Sequence, residues 1–327
     1  MKLYYVRLCF FCVLFFSLKN YSQETLPIYQ DYLSDNVFLI HPSAAGIGNS
    51  SKLRMTARQQ WSGISNAPAL QTLSFHTKFG EDSKAGVGFI LFNDKNGYHS
   101  QKGIQGTYSY HLPLSAGRLF EQLSFGLGFT VVQNQVDQSL FSGDPTVSQI
   151  NQNTSYYNAD FSLAYHKGGF SSYFTVKNLL PTVKNNLNVQ EPLDLSKIIL
   201  SAGYYYGEDN FIQLEPSFMV QLRESTGERT ADFNIKAYKT ISQTQIWGAL
   251  SYRQSFDTNA IENTKFLSPI IGINFKNFMF SYTYTNQMNE TVLTSSGLHQ
   301  ISVGLNLWTR KQRGAACPNI STGFGSF

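Results

Sequence analysis

Leu123-Ser124-Phe125-Gly126-Leu127-Gly128-Phe129-Thr130-Val131 places an apolar side chain at every odd position and a small or polar one at every even position. Successive side chains of an extended strand point to opposite faces, so this period of two predicts a strand with one apolar and one polar face. The pattern returns on the C-terminal side. Tyr157, Ala159, Phe161, Leu163 and Tyr165 alternate with Asn158, Asp160, Ser162, Ala164 and His166, and Ile301, Val303, Leu305 and Leu307 alternate with Ser302, Gly304 and Asn306. A water-soluble sandwich would turn the polar face outward and a membrane barrel the apolar one, and alternation by itself fits either.

Composition separates the two. Charged residues make up 14% of the 327, against roughly 25% in soluble domains, while aromatics reach 15% with 26 Phe and 19 Tyr. Yet no segment beyond Ser22 approaches the ~20 consecutive apolar residues that a helical span needs. Low charge and many aromatics without long apolar runs suit strands that meet lipid at alternate positions.

Fourteen candidate strands can be read between Lys52–Trp61 and Gly297–Trp308, among them Ala85–Phe92, Gly103–His111, Gln122–Asn134, Tyr156–His166 and Phe170–Asn178. Most are long enough to cross a bilayer when tilted, about 9–11 residues. Their connections alternate. Phe79–Lys84, Lys167–Gly169, Gly207–Asn210, Ile241–Thr244 and Lys276-Asn277 are tight, whereas Gln135–Ser155, Leu179–Ser196, Gln254–Lys265 and Gln287–Ser296 are longer. Short periplasmic turns and long extracellular loops are the habit of outer-membrane barrels, and an even strand number leaves both termini in the periplasm. Leu112–Glu121 is the one tight-side connection that runs long. The expected fold is therefore all-β: a transmembrane, outer-membrane, antiparallel β-barrel of fourteen strands. It turns Tyr108, Tyr110, Tyr204, Tyr206, Tyr282 and Tyr284 outward near strand ends, as aromatic girdles. It turns Arg54, Arg58, Asp160, Lys177, Glu215, Asp232, Lys236 and Arg253 inward, where both signs of charge can pair.

The N-terminus carries an export pattern: Lys2 and Arg7 precede the apolar run Leu8–Leu18, with cleavage expected after Ser22. Cys9 and Cys12 lie inside that run, not after it, so a lipid-anchored cysteine is not expected. Cys317 is then left without a disulfide partner. Losing Lys2, Arg7 and Lys19 brings the 25 basic residues to within one of the 21 acidic ones, and no nucleic-acid footprint remains. The expected organisation is a signal peptide over 1–22, a periplasmic or barrel-plugging segment over 23–51, the barrel over 52–308 and a periplasmic tail over 309–327, where Arg310, Lys311 and Arg313 cluster.

Catalytic chemistry finds no footing. His41, His76, His99, His111, His166 and His299 are scattered, without metal-ligand spacing. Ser295-Ser296-Gly297-Leu298-His299 lacks the nucleophile elbow of a hydrolase. Asp160 and His166 share a face but stand roughly 20 Å apart at ~3.3 Å per residue. No catalytic, cofactor or metal site is expected.

A motif series stands out in the N-terminal third. His41-Pro42-Ser43-Ala44-Ala45-Gly46 precedes a strand ending in Arg58-Gln59-Gln60-Trp61, followed by Asn66-Ala67-Pro68, Gly86-Val87-Gly88, Asn93-Asp94-Lys95-Asn96-Gly97 and Tyr108-Ser109-Tyr110. Each has an architectural reading: Trp61 as an interfacial aromatic, Asn96-Gly97 as a hairpin turn, Pro42 and Gly46 as shapers of a segment at the barrel mouth. Their order and spacing resembles the PorP/SprF family of membrane proteins of the type IX secretion system of Bacteroidetes, as does the terminal Cys317-Pro318. His41 replaces the usual Asn, and Asn66-Ala67-Pro68 shifts the usual Gly.

The resemblance implies a non-enzymatic outer-membrane component without cofactors. It would support secretion or surface anchoring of a large adhesin with a type IX C-terminal domain, including adhesins used in gliding, alongside other type IX components and outer-membrane lipid. On that reading Gln135–Ser155 and Leu179–Ser196 form the outward contact surface, and the family-motif positions serve structure or partner contact. The competing reading is a diffusion channel or hydrophobic-substrate transporter.

Overall fold

The computed structural model describes residues 33–60, 67–80, 83–115, 120–137, 151–180, 196–207, 210–223, 226–257, 263–288 and 297–309. Fourteen strands form one closed antiparallel barrel: β1 (Ser51–Gln60), β2 (Ala69–Lys78), β3 (Ala85–Asn96), β4 (His99–Pro113), β5 (Glu121–Asp137), β6 (Asn151–Lys167), β7 (Phe170–Lys177), β8 (Lys197–Tyr204), β9 (Gln213–Arg223), β10 (Glu228–Ile241), β11 (Thr244–Ser255), β12 (Lys265–Phe275), β13 (Phe278–Gln287) and β14 (Leu298–Leu307). Each strand pairs with its sequence neighbours, and β1 closes the ring on β14 in the register Ser51↔Leu307. Closure removes the sheet edges that an open sheet would expose to lipid.

The stretch that decides the fold behaves as its alternation predicts. On β5, Phe125, Leu127, Phe129 and Val131 face outward and are exposed, while Ser124, Gly126, Gly128 and Thr130 are buried inside. The sense is inverted relative to a soluble protein around the whole wall: Met55, Leu91, Ile104, Leu200, Phe233, Ile271 and Ile301 are all exposed. From Leu123 to Val131 the apolar face spans roughly 20 Å of barrel axis, at about 3.4 Å per residue and a tilt near 40°, close to the height of a hydrocarbon band. Tyr108, Tyr110, Tyr204 and Tyr206 are exposed on it, and Tyr282 and Tyr284 share its facing half-buried.

The strands run longer than the apolar pattern on the outer side. β3 and β4 continue to a turn at Gly97-Tyr98, with Gly97 at φ +61°, so the expected connection Asn93–Lys102 is mostly strand. β5 continues to Asp137 and β6 begins at Asn151, which converts both ends of the expected loop Gln135–Ser155 into paired strand. Above Leu91, Ile104, Val131 and Tyr157 the outward positions turn polar: Asn93 and Lys95, Lys102 and Ser100, Gln133 and Gln135, Ser155 and Asn153. A strand that leaves the hydrocarbon loses the reason to alternate, which is why its sequence did not mark it as strand.

Candidate functional site: a lumen filled by the N-terminal segment

The inward face is polar, and neighbouring strands form ion pairs across it. All eight expected inward ionic residues are buried. Lys177 Nζ lies 3.2 Å from Asp160 Oδ2, and Arg253 forms a two-pronged pair with Asp232, Nε to Oδ1 at 2.6 Å and Nη2 to Oδ2 at 2.7 Å. The Tyr238 hydroxyl donates to Glu215. Arg54 donates to Asn306 Oδ1 at 2.8 Å and to the carbonyls of Leu53 and Leu305.

Lys236 finds an ion-pair partner on the segment before β1. Its ammonium donates to Asp35 Oδ1 at 2.8 Å and to the Leu33 carbonyl at 3.1 Å, and lies 3.8 Å from the Trp247 ring centre. Residues 33–50 occupy the lumen as two short 3-10 turns, Val37–Leu39 and Pro42–Ala44. Ile40, Ser43 and Ala45 have no exposed surface at all. Ile40 and Ala45, with Phe38, Leu39 and Ala44, form an apolar core with Ala164, Tyr173, Ile199, Met219 and Trp247 of the wall.

Each short motif in this segment has a seat. Pro42 opens the second turn at a position where its missing N–H goes unneeded. His41 Nδ1 bonds the Thr175 hydroxyl at 2.7 Å and Nε2 the Ser201 hydroxyl at 3.0 Å, while its ring stacks on Tyr173 with centroids 4.6 Å apart. Burial, and after it the Lys177 ammonium, hold the His41 imidazole well below its ordinary 6.5, so it sits neutral with both nitrogens bonded. Ser43 bonds Ser162 at 2.7 Å. The Ala45 carbonyl accepts from the Ser109 hydroxyl at 2.6 Å and from His111 Nε2 at 2.9 Å. The Gly46 N–H donates to His76 Nδ1 at 3.0 Å. Gly46 stands at φ +69°, and a Cβ there would come within 2.8 Å of the Thr77 carbonyl oxygen.

The wall is cut away to receive this segment. A Cβ at Gly126 would overlap the backbone of Pro42 and Ser43, one at Gly86 the Ala45 carbonyl, and one at Gly88 would stand 2.5 Å from Phe38 Cζ. The Gly86-Val87-Gly88 motif and the inward Gly126 thus leave the space that the plug fills. In the sequence Gly126 was a small residue on one face of an alternating strand, and Gly86 and Gly88 belonged to the motif series. Their clustering opposite the apolar run Phe38–Ile40 was the available signal.

The remaining motif residues scatter. Ala44 is buried in the plug and Arg58 in the inner wall of β1. Gln60 ends β1, its N–H donating to the Pro68 carbonyl at 2.9 Å. On β3, Asn93 faces outward and Asp94 inward, and Gly97 makes the turn. Tyr108 and Tyr110 face outward, on the side of the wall opposite the plug. Trp61, Cys317 and Pro318 lie outside the described residues, as do residues 1–32, where the export signal is expected, and 310–327. The geometry brings His41, Pro42, Ala44 and Gly46 together in one seat and leaves the others apart. It contains hydrogen-bond and ion-pair partners for the segment; Asp160, which shares a face with His166, is engaged by Lys177, and His166 Nε2 bonds the Tyr173 hydroxyl at 2.8 Å.

The family model for the type IX secretion system membrane protein PorP/SprF matches residues 21–305. No curated protein matches the chain. Among solved structures, the CymD monoaromatic hydrocarbon channel is 8% identical, over 84% of this chain and 92% of that one, with a TM-score of 0.45. BamA from Haemophilus ducreyi, lacking POTRA domains 1–3, is 8% identical over 79% and 70%, with a TM-score of 0.42. OmpF of Salmonella typhi in complex with daunomycin is 10% identical over 82% and 99%, with a TM-score of 0.37. At such scores they lend the chain neither substrate nor mechanism.

Proposed function

The chain belongs to the PorP/SprF family of type IX secretion system membrane proteins, and from that premise we propose that it is a non-enzymatic docking platform which supports secretion or surface retention of a large adhesin. The observation that carries this reading is the seated plug. A barrel of fourteen strands has room for an aqueous path, yet here residues 33–50 occupy the interior with buried hydrogen bonds and an ion pair. Moving solute through that space would require their removal, whereas docking on the outer face would not.

The client on this reading is a secreted protein with a type IX C-terminal domain, including those used in gliding. The periplasmic side would meet other components of the apparatus. Cleavage after Ser22 would release the N-terminal segment to enter the lumen from the periplasm, because β1 begins at that end, paired with the last residues of β14. Deleting the gene and comparing surface proteins by protease shaving and mass spectrometry tests the reading. One or more large type IX substrates should disappear from the surface and return on complementation. An unchanged surface proteome would refute it.

A further inference from the structure

The outer end of β6 carries pairing capacity that the described wall does not use. β6 pairs with β5 along its whole length, from Glu121↔Lys167 to Asp137↔Asn151, but with β7 only from Lys167↔Phe170 to Phe161↔Val176. Just beyond, the Leu179 N–H donates to the Ala159 carbonyl at 2.8 Å, and the Asn158 side chain bonds the Leu180 N–H at 2.9 Å and its carbonyl at 3.1 Å. The next residue is Pro181, which has no N–H with which to continue a ladder. In an antiparallel strand the backbone groups of successive residues point alternately to the two neighbours. The side on which Ala159 accepts is therefore the side to which Tyr157, Ser155 and Asn153 turn their N–H and C=O groups. Among the described residues, no strand pairs with these three on that side.

This edge stands clear of the membrane. Tyr157 is the last apolar outward side chain of β6, stacked on Phe129 with centroids 6.2 Å apart, and Ser155 and Asn153 above it are exposed. Natural edge strands are guarded by charges, prolines or bulges. Asn153-Thr154-Ser155-Tyr156-Tyr157 has no charge and no proline, and its Thr and Tyr residues favour extended backbone. An unguarded row of donors and acceptors is complemented by another extended backbone, and a charged partner strand would find no counter-ion along it. The polypeptide that reaches this side of the membrane is the exported client. We propose that the β6 edge from Asn153 to Tyr157 receives a short, extended, uncharged segment of that client by strand addition. This rests on the docking function proposed above.

The edge can be blocked without touching the barrel. The Ser155 N–H points to the open side and takes no part in the ladder with β5, so Ser155→Pro removes one edge donor at a position where a strand tolerates proline. Ser155→Ala keeps the N–H and serves as control. The probe is the set of surface proteins lost from the deletion strain. With the folded barrel at wild-type level, S155P should lower their surface amount by about tenfold and S155A should leave it unchanged; wild-type surface levels with S155P would overturn the proposal. Should S155P itself reduce the folded barrel, Ser155→p-benzoylphenylalanine decides by photo-cross-linking in intact cells. An adduct with a protein of that lost set supports strand addition. An adduct only with this chain's own residues, with a second copy, or with nothing overturns it. If the deletion strain loses no surface protein, the docking function fails first; if it does but S155P does not, only the β6 site fails.

Discussion

Lys236 illustrates how much the plug depends on single side chains. Its side chain is 1% exposed, and its ammonium meets Asp35 and the Leu33 carbonyl of the plug and the rings of Trp247 and Tyr238 on the wall. Removing one partner of a buried pair leaves the other uncompensated, at a cost of about 3–5 kcal/mol. Lys236→Met should therefore loosen residues 33–50, read as faster hydrogen exchange across them, while Lys236→Met with Asp35→Asn recovers much of the protection. Equal exchange in the wild type and both variants would contradict the pairing. His41 adds a pH dependence. The seated form holds its imidazole below 6.5 whereas an unseated one titrates near that value, so seating is strongest above pH 6.5 and weakens as pH falls below it. Plug exchange, corrected for intrinsic rates, should rise between about pH 7.5 and 5, and His41→Gln should flatten part of that rise.

At the scale of elements, the plug and its wall are complementary in shape, and Gly126 shows it most clearly. Gly126→Leu would drive a side chain into the backbone of Pro42 and Ser43, while the outward face of β5 stays unchanged. The barrel should still fold and insert, with residues 33–50 displaced and open to protease added from the periplasmic side; a protected plug in that variant would contradict the fit. The strands themselves were legible in the sequence wherever they cross lipid, because there one face must be apolar and the other can be polar. Fourteen of them followed from alternation and connection lengths. What stayed hidden is what lipid does not shape: the outer ends of β3 to β6, which carry one hairpin out to the turn that Asn96-Gly97 had marked. The plug contacts were hidden for another reason. Pairings such as His41 with Thr175 or Asp35 with Lys236 join residues far apart in the chain, and short 3-10 turns leave no periodic trace.

For the whole molecule, the inward charges could be read from strand parity, but their partners could not. The wall pairs Asp160 with Lys177 and Asp232 with Arg253, and the plug brings Asp35 to Lys236. The interior is thus completed by a segment that is not part of the wall. The claim that this barrel is a platform and not a pore is tested most directly by the conductance of purified wild-type protein in planar bilayers, with Gly126→Leu beside it. A closed wild-type barrel and steady current steps from the variant are the predicted result; steady, open single-channel steps from the wild-type protein would contradict the account.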